Sequence, residues 1–332
     1  MNSQIGAALI GYGKGGRVFH APLIRSTEGL DLRRIVEHRG DRDVQSLLDD
    51  HTIDVVVIAT PNESHFDLAQ RALLAAKHVV VDKPFTVTSR DAEELIATAN
   101  RMQRLLTVFQ NRRWEGDFRT IRKLVGDGVF GRIVQFEARF DRFRNEPKPG
   151  AWRETSSPGS GILYDLGSHL IDQALVLFGN PRRITADIRR ERDFGDADDA
   201  FDLWLDYDRL KVMLTAGMLV REATPRFTVR GTHATFVKSG LDPQEADLSA
   251  GRTPHDRDWG KEPETQWGTL ISDRGEERVE TLPGAYQMFY ENLCAAIEGN
   301  AALAVDPRDA YSTIRIIEAA ILSHRERRTV DL

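Results

Sequence analysis

Short apolar runs that stop at glycine or proline alternate with stretches of helical spacing through the first third of the chain. Ile5 to Ile10 reads as a buried parallel strand, apolar throughout because both faces of such a strand are covered. Gly11-Tyr12-Gly13-Lys14-Gly15-Gly16 follows, and Arg17 to Arg25 has helical character. Residues 32–36 form a second expected strand, and Asp54 to Thr60 a third that Pro61-Asn62 stops. Val79 to Val81 and Leu105 to Phe109 supply two more. Between them, His65 to Ala76 places Phe66, Ala69, Leu73 and Ala76 at helical spacing, and Ser89 to Met102 reads as another helix. Strands alternating with helices require crossovers, hence a doubly wound parallel sheet.

The period changes after about residue 115. Residues 133–143 alternate apolar and polar, the pattern of an open antiparallel sheet with one covered face. Residues 183–188, 200–207, 210–217 and 226–231 supply further strands, and one helix over 162–178 interrupts them. The stretch 240–283 is polar and rich in Gly, Pro and Asp, and reads as a long irregular excursion. Residues 284–299 and 307–326 read as closing helices. The expectation is α/β: a doubly wound parallel domain over residues 1–115, then an α+β domain over 116–332 built on an open, mostly antiparallel sheet.

Composition narrows the function classes. With 332 residues, 41% hydrophobic and 29% charged, the chain can fill about two cores and is not a disordered polymer. A net charge of −6 argues against a dedicated nucleic-acid binder. The single cysteine, Cys294, cannot form an intramolecular disulfide and fits a reducing compartment. The first apolar run has no charged segment before it and is far shorter than the roughly 20 residues of a membrane helix. The expectation is a soluble cytoplasmic protein with no signal peptide and no membrane partner.

The glycine turn carries the first chemistry. Gly11-x-Gly13-x-x-Gly16 lies between a strand and a helix, the context a dinucleotide fingerprint requires. Gly11 permits the turn, Gly13 lets backbone N–H groups approach a pyrophosphate, and Gly16 allows close helix–strand packing, with the helix N-terminus favouring the anion. Glu37, 21 positions after Gly16, is placed to bond the ribose of NAD, whereas the adjacent His38 and Arg39 suit a 2′-phosphate. Lys83 ends a parallel strand, where open α/β sheets bind ligands. Asp165 and His169 are four apart on an expected helix and so share a face, which Asp172 extends. No second His or Cys stands at ligand spacing, so no metal site is expected.

Taken together, these segments resemble the glucose–fructose oxidoreductase, inositol dehydrogenase and rhizopine-catabolism (Gfo/Idh/MocA) family of NAD(P)-dependent oxidoreductases. The resemblance runs through Gly11–Gly16, Ala59-Thr60-Pro61-Asn62 with His65, Asp82-Lys83-Pro84, Asn111-Arg112-Arg113-Trp114, Trp152-Arg153-Glu154 and Tyr164-Asp165-Leu166-Gly167-Ser168-His169. The subgroup is similar to NADP-preferring scyllo-inositol dehydrogenases, and Gly240-Leu241-Asp242-Pro243-Gln244-Glu245 resembles it too.

The resemblance implies a Rossmann-like first domain and a cofactor, NADP or NAD, with NADP slightly favoured. It implies a cofactor site of Gly11, Gly13, Lys14, Gly15, Gly16, Glu37, His38, Arg39, Thr60, Pro61, Asn62, His65, Asp82, Lys83, Trp152 and Arg153. Catalysis falls to Lys83, Asp165 and His169, with Pro84 resembling a proline that relatives hold in cis. Asn111, Arg112, Arg139, Trp152, Tyr164 and Asp172 are candidates for holding a polyol or sugar. Pairing of the open sheets into a homodimer or homotetramer is implied as well. One departure stands out: only 18 positions separate Val36 from Asp54, room for one short helix where the family fits a helix and another strand. The first sheet is expected to be truncated after its second strand.

The expected activity is hydride transfer between a secondary alcohol of a polyol, inositol or sugar and nicotinamide. Two alternatives stay open: a non-catalytic nucleotide sensor on the same fold, and a reductase of a keto sugar or sugar phosphate.

Overall fold

A computed structural model describes residues 4–37, 41–146 and 152–332. Strand β1, Ile5–Ile10, is buried along its whole length. The glycine turn leads into a π-turn over Gly15–His20 and then α1, Ala21–Arg25, with Pro22 at the start where a missing N–H costs nothing. The chain continues through β2 (Leu30–Val36), α2 (Asp41–Leu48), β3 (Val55–Ile58), α3 (His65–Leu74), β4 (His78–Asp82), α4 (Ser89–Met102) and β5 (Leu106–Phe109). The five strands are parallel in the order β2-β1-β3-β4-β5. β2 is the sheet edge, and α2 is the single helix between β2 and β3, so the expected truncation is present among the described residues.

The second half opens with α5 (Gly116–Gly126), which the periodicity did not single out, and β6 (Ile133–Arg139). α6 (Ser168–Phe178), β7 (Arg183–Arg189), β8 (Ala200–Asp206), β9 (Lys211–Gly217), β10 (Phe227–Gly231) and β11 (Ala234–Lys238) follow. Then come α7 (Gln244–Ser249), β12 (Gly268–Ser272), β13 (Gly275–Val279), α8 (Gln287–Ile297), α9 (Pro307–Glu326) and β14 (Val330–Asp331). The sheet runs β13-β12-β11-β10-β6-β9-β8-β7-β14, antiparallel except where β6 meets β9.

The stretch 240–283 is therefore irregular only in part, chiefly over 250–263. It holds α7 and a hairpin that lengthens the sheet, with Leu270 opposite Phe236. The alternation is hidden because β13 is an exposed edge strand, Gly275-Glu276-Glu277-Arg278, whose charges suit an unpaired edge. Gly268 belongs in β12 because a Cβ there would lie 2.2 Å from the Phe236 ring.

The chain forms two compact units, and the boundary is not a single cut near residue 115. The first unit holds Met1–Trp114, Pro243–Gly260 and Ala285–Tyr311; the second holds Glu115–Asp242, Lys261–Gly284 and Ser312–Leu332. The returning segments finish the first core. Phe289 of α8 packs edge-on to Phe109 at 5.0 Å, and Thr107 Oγ1 donates to Val305 O at 2.8 Å. Gln244 of α7 is fully buried, donating to Trp114 O at 3.2 Å and accepting from Tyr286 N at 2.7 Å. In the second unit, Phe136 of β6 packs against Phe178 of α6 at 5.3 Å and Phe227 of β10 at 5.9 Å. Among the described residues, no helix is long and apolar enough to cross a membrane.

Candidate active site

In the first unit, the glycine turn is crowded where protein packs against it and open where a ligand would come. Gly11 has φ +96°, and a Cβ there would lie 2.4 Å from Ala59 O. A Cβ at Gly16 would lie 2.1 Å from Gly11 O, whereas one at Gly13 would meet nothing within 4 Å. The helix begins at once, Arg17 N donating to Gly13 O at 2.9 Å. A backbone cradle with clear space at its middle glycine fits a dinucleotide pyrophosphate.

The loops after β3 and β4 are tied together. Thr60 accepts from the Ser64 hydroxyl at 2.8 Å, and Pro61 leads into the short turn Asn62–Ser64, where Asn62 is buried. His65 is fully buried, with Nδ1 2.9 Å from Pro84 O and Nε2 3.0 Å from Thr60 O. Burial pushes its pKa down, against an opposing pull from the Asp82 charge. Both ring nitrogens thus face backbone carbonyls, and His65 braces the loops rather than presenting a nitrogen to a ligand. The Lys83–Pro84 bond is cis, as the resemblance implied. Asp82 Oδ1 accepts from the Lys83 backbone N–H at 2.8 Å. Burial pushes the Asp82 carboxyl up, but the His20 ring facing it, with Lys83 and His65, outweighs burial and holds the group below its ordinary value.

Glu37 is exposed just beyond β2, while His38 and Arg39 lie outside the described residues. Asn111 and Arg113 are buried in the turn Asn111–Trp114 after β5. Arg113 is ion-paired with Asp309 at 3.1 Å and donates to Ala304 O at 3.1 Å, an internal brace. Lys14 and Arg112 reach one carboxylate, Glu245 of α7, at 2.6 and 3.4 Å. Glu245 was not among the expected site residues. Its signal lay in the hexapeptide beginning at Gly240, but composition alone read that region as loop.

In the second unit, Trp152 and Arg153 begin a short turn, with the Arg153 guanidinium 4.5 Å from the Trp152 ring centre. Arg153 Nε lies 3.4 Å from Asp165 Oδ1. Asp165 is in a π-turn, Leu163–Gly167, that runs into α6; His169 and Asp172 are buried on α6. One regular helix over 162–178 is thus not what forms, and the π-turn shifts Asp165 from the spacing that regular periodicity assigns it relative to His169. Tyr164 is buried, and burial, with Glu318 and Asp198, pushes its phenol up to about 12. Arg139 spends its guanidinium on Asp141, Nε to Oδ2 at 2.7 Å, on strand β6. Asp198, unremarked in the sequence, accepts the Leu163 N–H at 2.8 Å at the start of the π-turn.

The Gfo/Idh/MocA oxidoreductase family's NAD-binding Rossmann fold matches residues 5–110, and its C-terminal alpha/beta domain matches residues 122–332. The uncharacterized oxidoreductase YdgJ of Escherichia coli is 41% identical, over 100% of both chains. IolW of Bacillus subtilis, a scyllo-inositol 2-dehydrogenase (NADP(+)), is 36% identical over 99% of this chain and 96% of its own. A solved oxidoreductase from Bacillus cereus superposes with a TM-score of 0.90 at 31% identity, covering 99% of each chain.

Proposed function

This chain belongs to the Gfo/Idh/MocA family and is an NAD(P)-dependent oxidoreductase; we propose that it oxidises a secondary alcohol of an inositol or related polyol. The observation that carries the reading is the joining of the glycine cradle and Lys83 at the carboxyl ends of one parallel sheet, where such sheets take their ligands. The full-length likeness to IolW supports the polyol class and NADP as the first cofactor to try.

Nicotinamide, when bound, accepts the hydride. The residues supply position and proton transfer. Gly11, Gly13, Gly15 and Gly16 form the phosphate cradle, and Thr60, Pro61 and Asn62 line its side. Lys83 places positive charge where an alkoxide develops. His169 takes the hydroxyl proton, since an imidazole ordinarily titrates near working pH. Asp165 orients the reacting groups, with Arg153 paired to its carboxylate. Asn111, Arg112, Tyr164 and Asp172 supply donors and acceptors to the remaining hydroxyls.

The open face of the second unit's sheet supports self-association. Trp204 on β8 is 48% exposed and lies beside Met213 of β9.

The reading is tested by following absorbance at 340 nm with NADP+ or NAD+ against scyllo-inositol, other inositols, sugars and sugar phosphates. Reduction of cofactor by an inositol is expected. Lys83→Ala and His169→Ala should each lower turnover by about 10²–10⁴-fold while NADPH still binds. Tight NADPH binding with no turnover on any alcohol overturns the enzymatic reading of the site.

A further inference from the structure

The proposed chemistry leaves one buried cluster of the first unit unused. His20, the last residue of the π-turn, is fully buried. Its Nδ1 lies 2.6 Å from the Tyr290 hydroxyl of α8, and its Nε2 lies 3.7 Å from Asp82 Oδ1 with no closer polar partner. The imidazole is fixed sideways by Phe109, with ring centres 4.4 Å apart. Asp82 is a junction: Oδ1 receives the Lys83 peptide N–H at 2.8 Å, and Oδ2 stands 2.9 Å from where a Cβ on Gly15 would be. One carboxylate therefore faces the imidazole, the Lys83 backbone and the phosphate turn.

Burial and the nearby Asp82 charge push the Tyr290 phenol well up, so it remains a hydroxyl with a proton to donate. A hydroxyl donating to Nδ1 leaves the neutral ring's proton on Nε2, the nitrogen that faces Asp82. The same logic governs metal-binding histidines, whose outer hydrogen bond sets the tautomer of the working nitrogen.

We propose that Tyr290 and His20 are positioning residues: Tyr290 fixes His20 as the Nε2–H tautomer, and His20 holds the Asp82 carboxylate against the Lys83 peptide. The pinning is a property of the first unit alone; only its catalytic consequence rests on the role given above to Lys83.

The test uses the full chain, uniformly labelled with 15N, without cofactor. Long-range 15N–1H spectra at neutral pH should show His20 as the Nε2–H tautomer, and Tyr290→Phe should abolish that preference. Hydrogen exchange of the Lys83 amide should quicken about tenfold in His20→Leu. It should stay within about threefold of the parent in His20→Gln, which keeps an N–H donor near the position of Nε2. The amide of Val57, buried in the middle of β3, reports whether the unit stays folded.

An Nδ1–H tautomer overturns the proposal. So does unchanged Lys83 exchange in His20→Leu with Val57 still protected. If His20→Leu loses Val57 protection, Tyr290→Phe, which removes a single oxygen, decides by the same Lys83 amide: faster exchange supports the pinning and unchanged exchange overturns it. Should Lys83→Ala keep full turnover while these spectra come out as expected, the catalytic reading of Lys83 falls and the pinning stands.

Discussion

Beside the turn that carries Tyr164 and Asp165 sits a carboxyl that folding makes less acidic. Burial raises Asp198 from 3.8 to about 6, against the pull of its backbone hydrogen bonds from Leu163 and Ile162. The folded chain thus favours the protonated acid more than the unfolded chain does. The stabilisation this gives is complete below pH 4 and is lost as pH rises through 6. Asp198→Asn keeps an acceptor for the Leu163 N–H without the charge. It should be more stable than the parent at pH 8 by about 1–3 kcal/mol and equal to it at pH 4, read from urea midpoints at the two values. Sequence gave no hint of this residue, because its effect comes from a buried turn rather than from a motif.

At the level of elements, β2 and α7 matter most to the site. β2 is one edge of the parallel sheet, and the exposed Glu37 directly follows it. With the cofactor placed as proposed, a carboxylate there repels a 2′-phosphate, so Glu37→Gln should shift the ratio of NADP+ to NAD+ affinities about tenfold toward NADP+, measured by titrating both cofactors. α7 enters the first unit through Gln244, whose amide satisfies Trp114 O and the Tyr286 N–H, both in the interior. Gln244→Ala leaves both without that partner and should cost about 1–3 kcal/mol in urea unfolding. The elements with clear periodicity were legible: β1, β3, β4, α4 and α9 form where the apolar spacing put them. The place of the glycine turn after β1 and of Lys83 directly after β4 was legible through their neighbours in sequence. Elements made by long-range packing were not. The β12–β13 hairpin has too few apolar positions to announce itself, and the π-turn at Leu163–Gly167 departs from the 3.6 period on which helix reading depends. His20, Asp198 and Glu245 owe their surroundings to residues 35 to 270 positions away, which no local pattern encodes.

At the scale of the whole molecule, the second unit's nine-stranded sheet carries Thr185, Trp204, Met213, Glu137 and Thr228 in one row across its strands. An exposed Trp within such a row suits contact with a second copy. Trp204→Glu should lower the mass seen by light scattering toward that of one chain, with secondary structure unchanged. The interleaving of the two units has a further consequence, for synthesis. The nucleotide-binding unit has its first segment in Met1–Trp114, but its last segment ends at Tyr311. At roughly 5–20 residues per second, close to 200 more residues must emerge after Trp114, a wait of about 10–40 s. Through that interval the aromatic faces of Phe109 and Trp114, later covered by α8, have no native cover, and the nascent chain depends on chaperones or on its own transient collapse to stay out of aggregates.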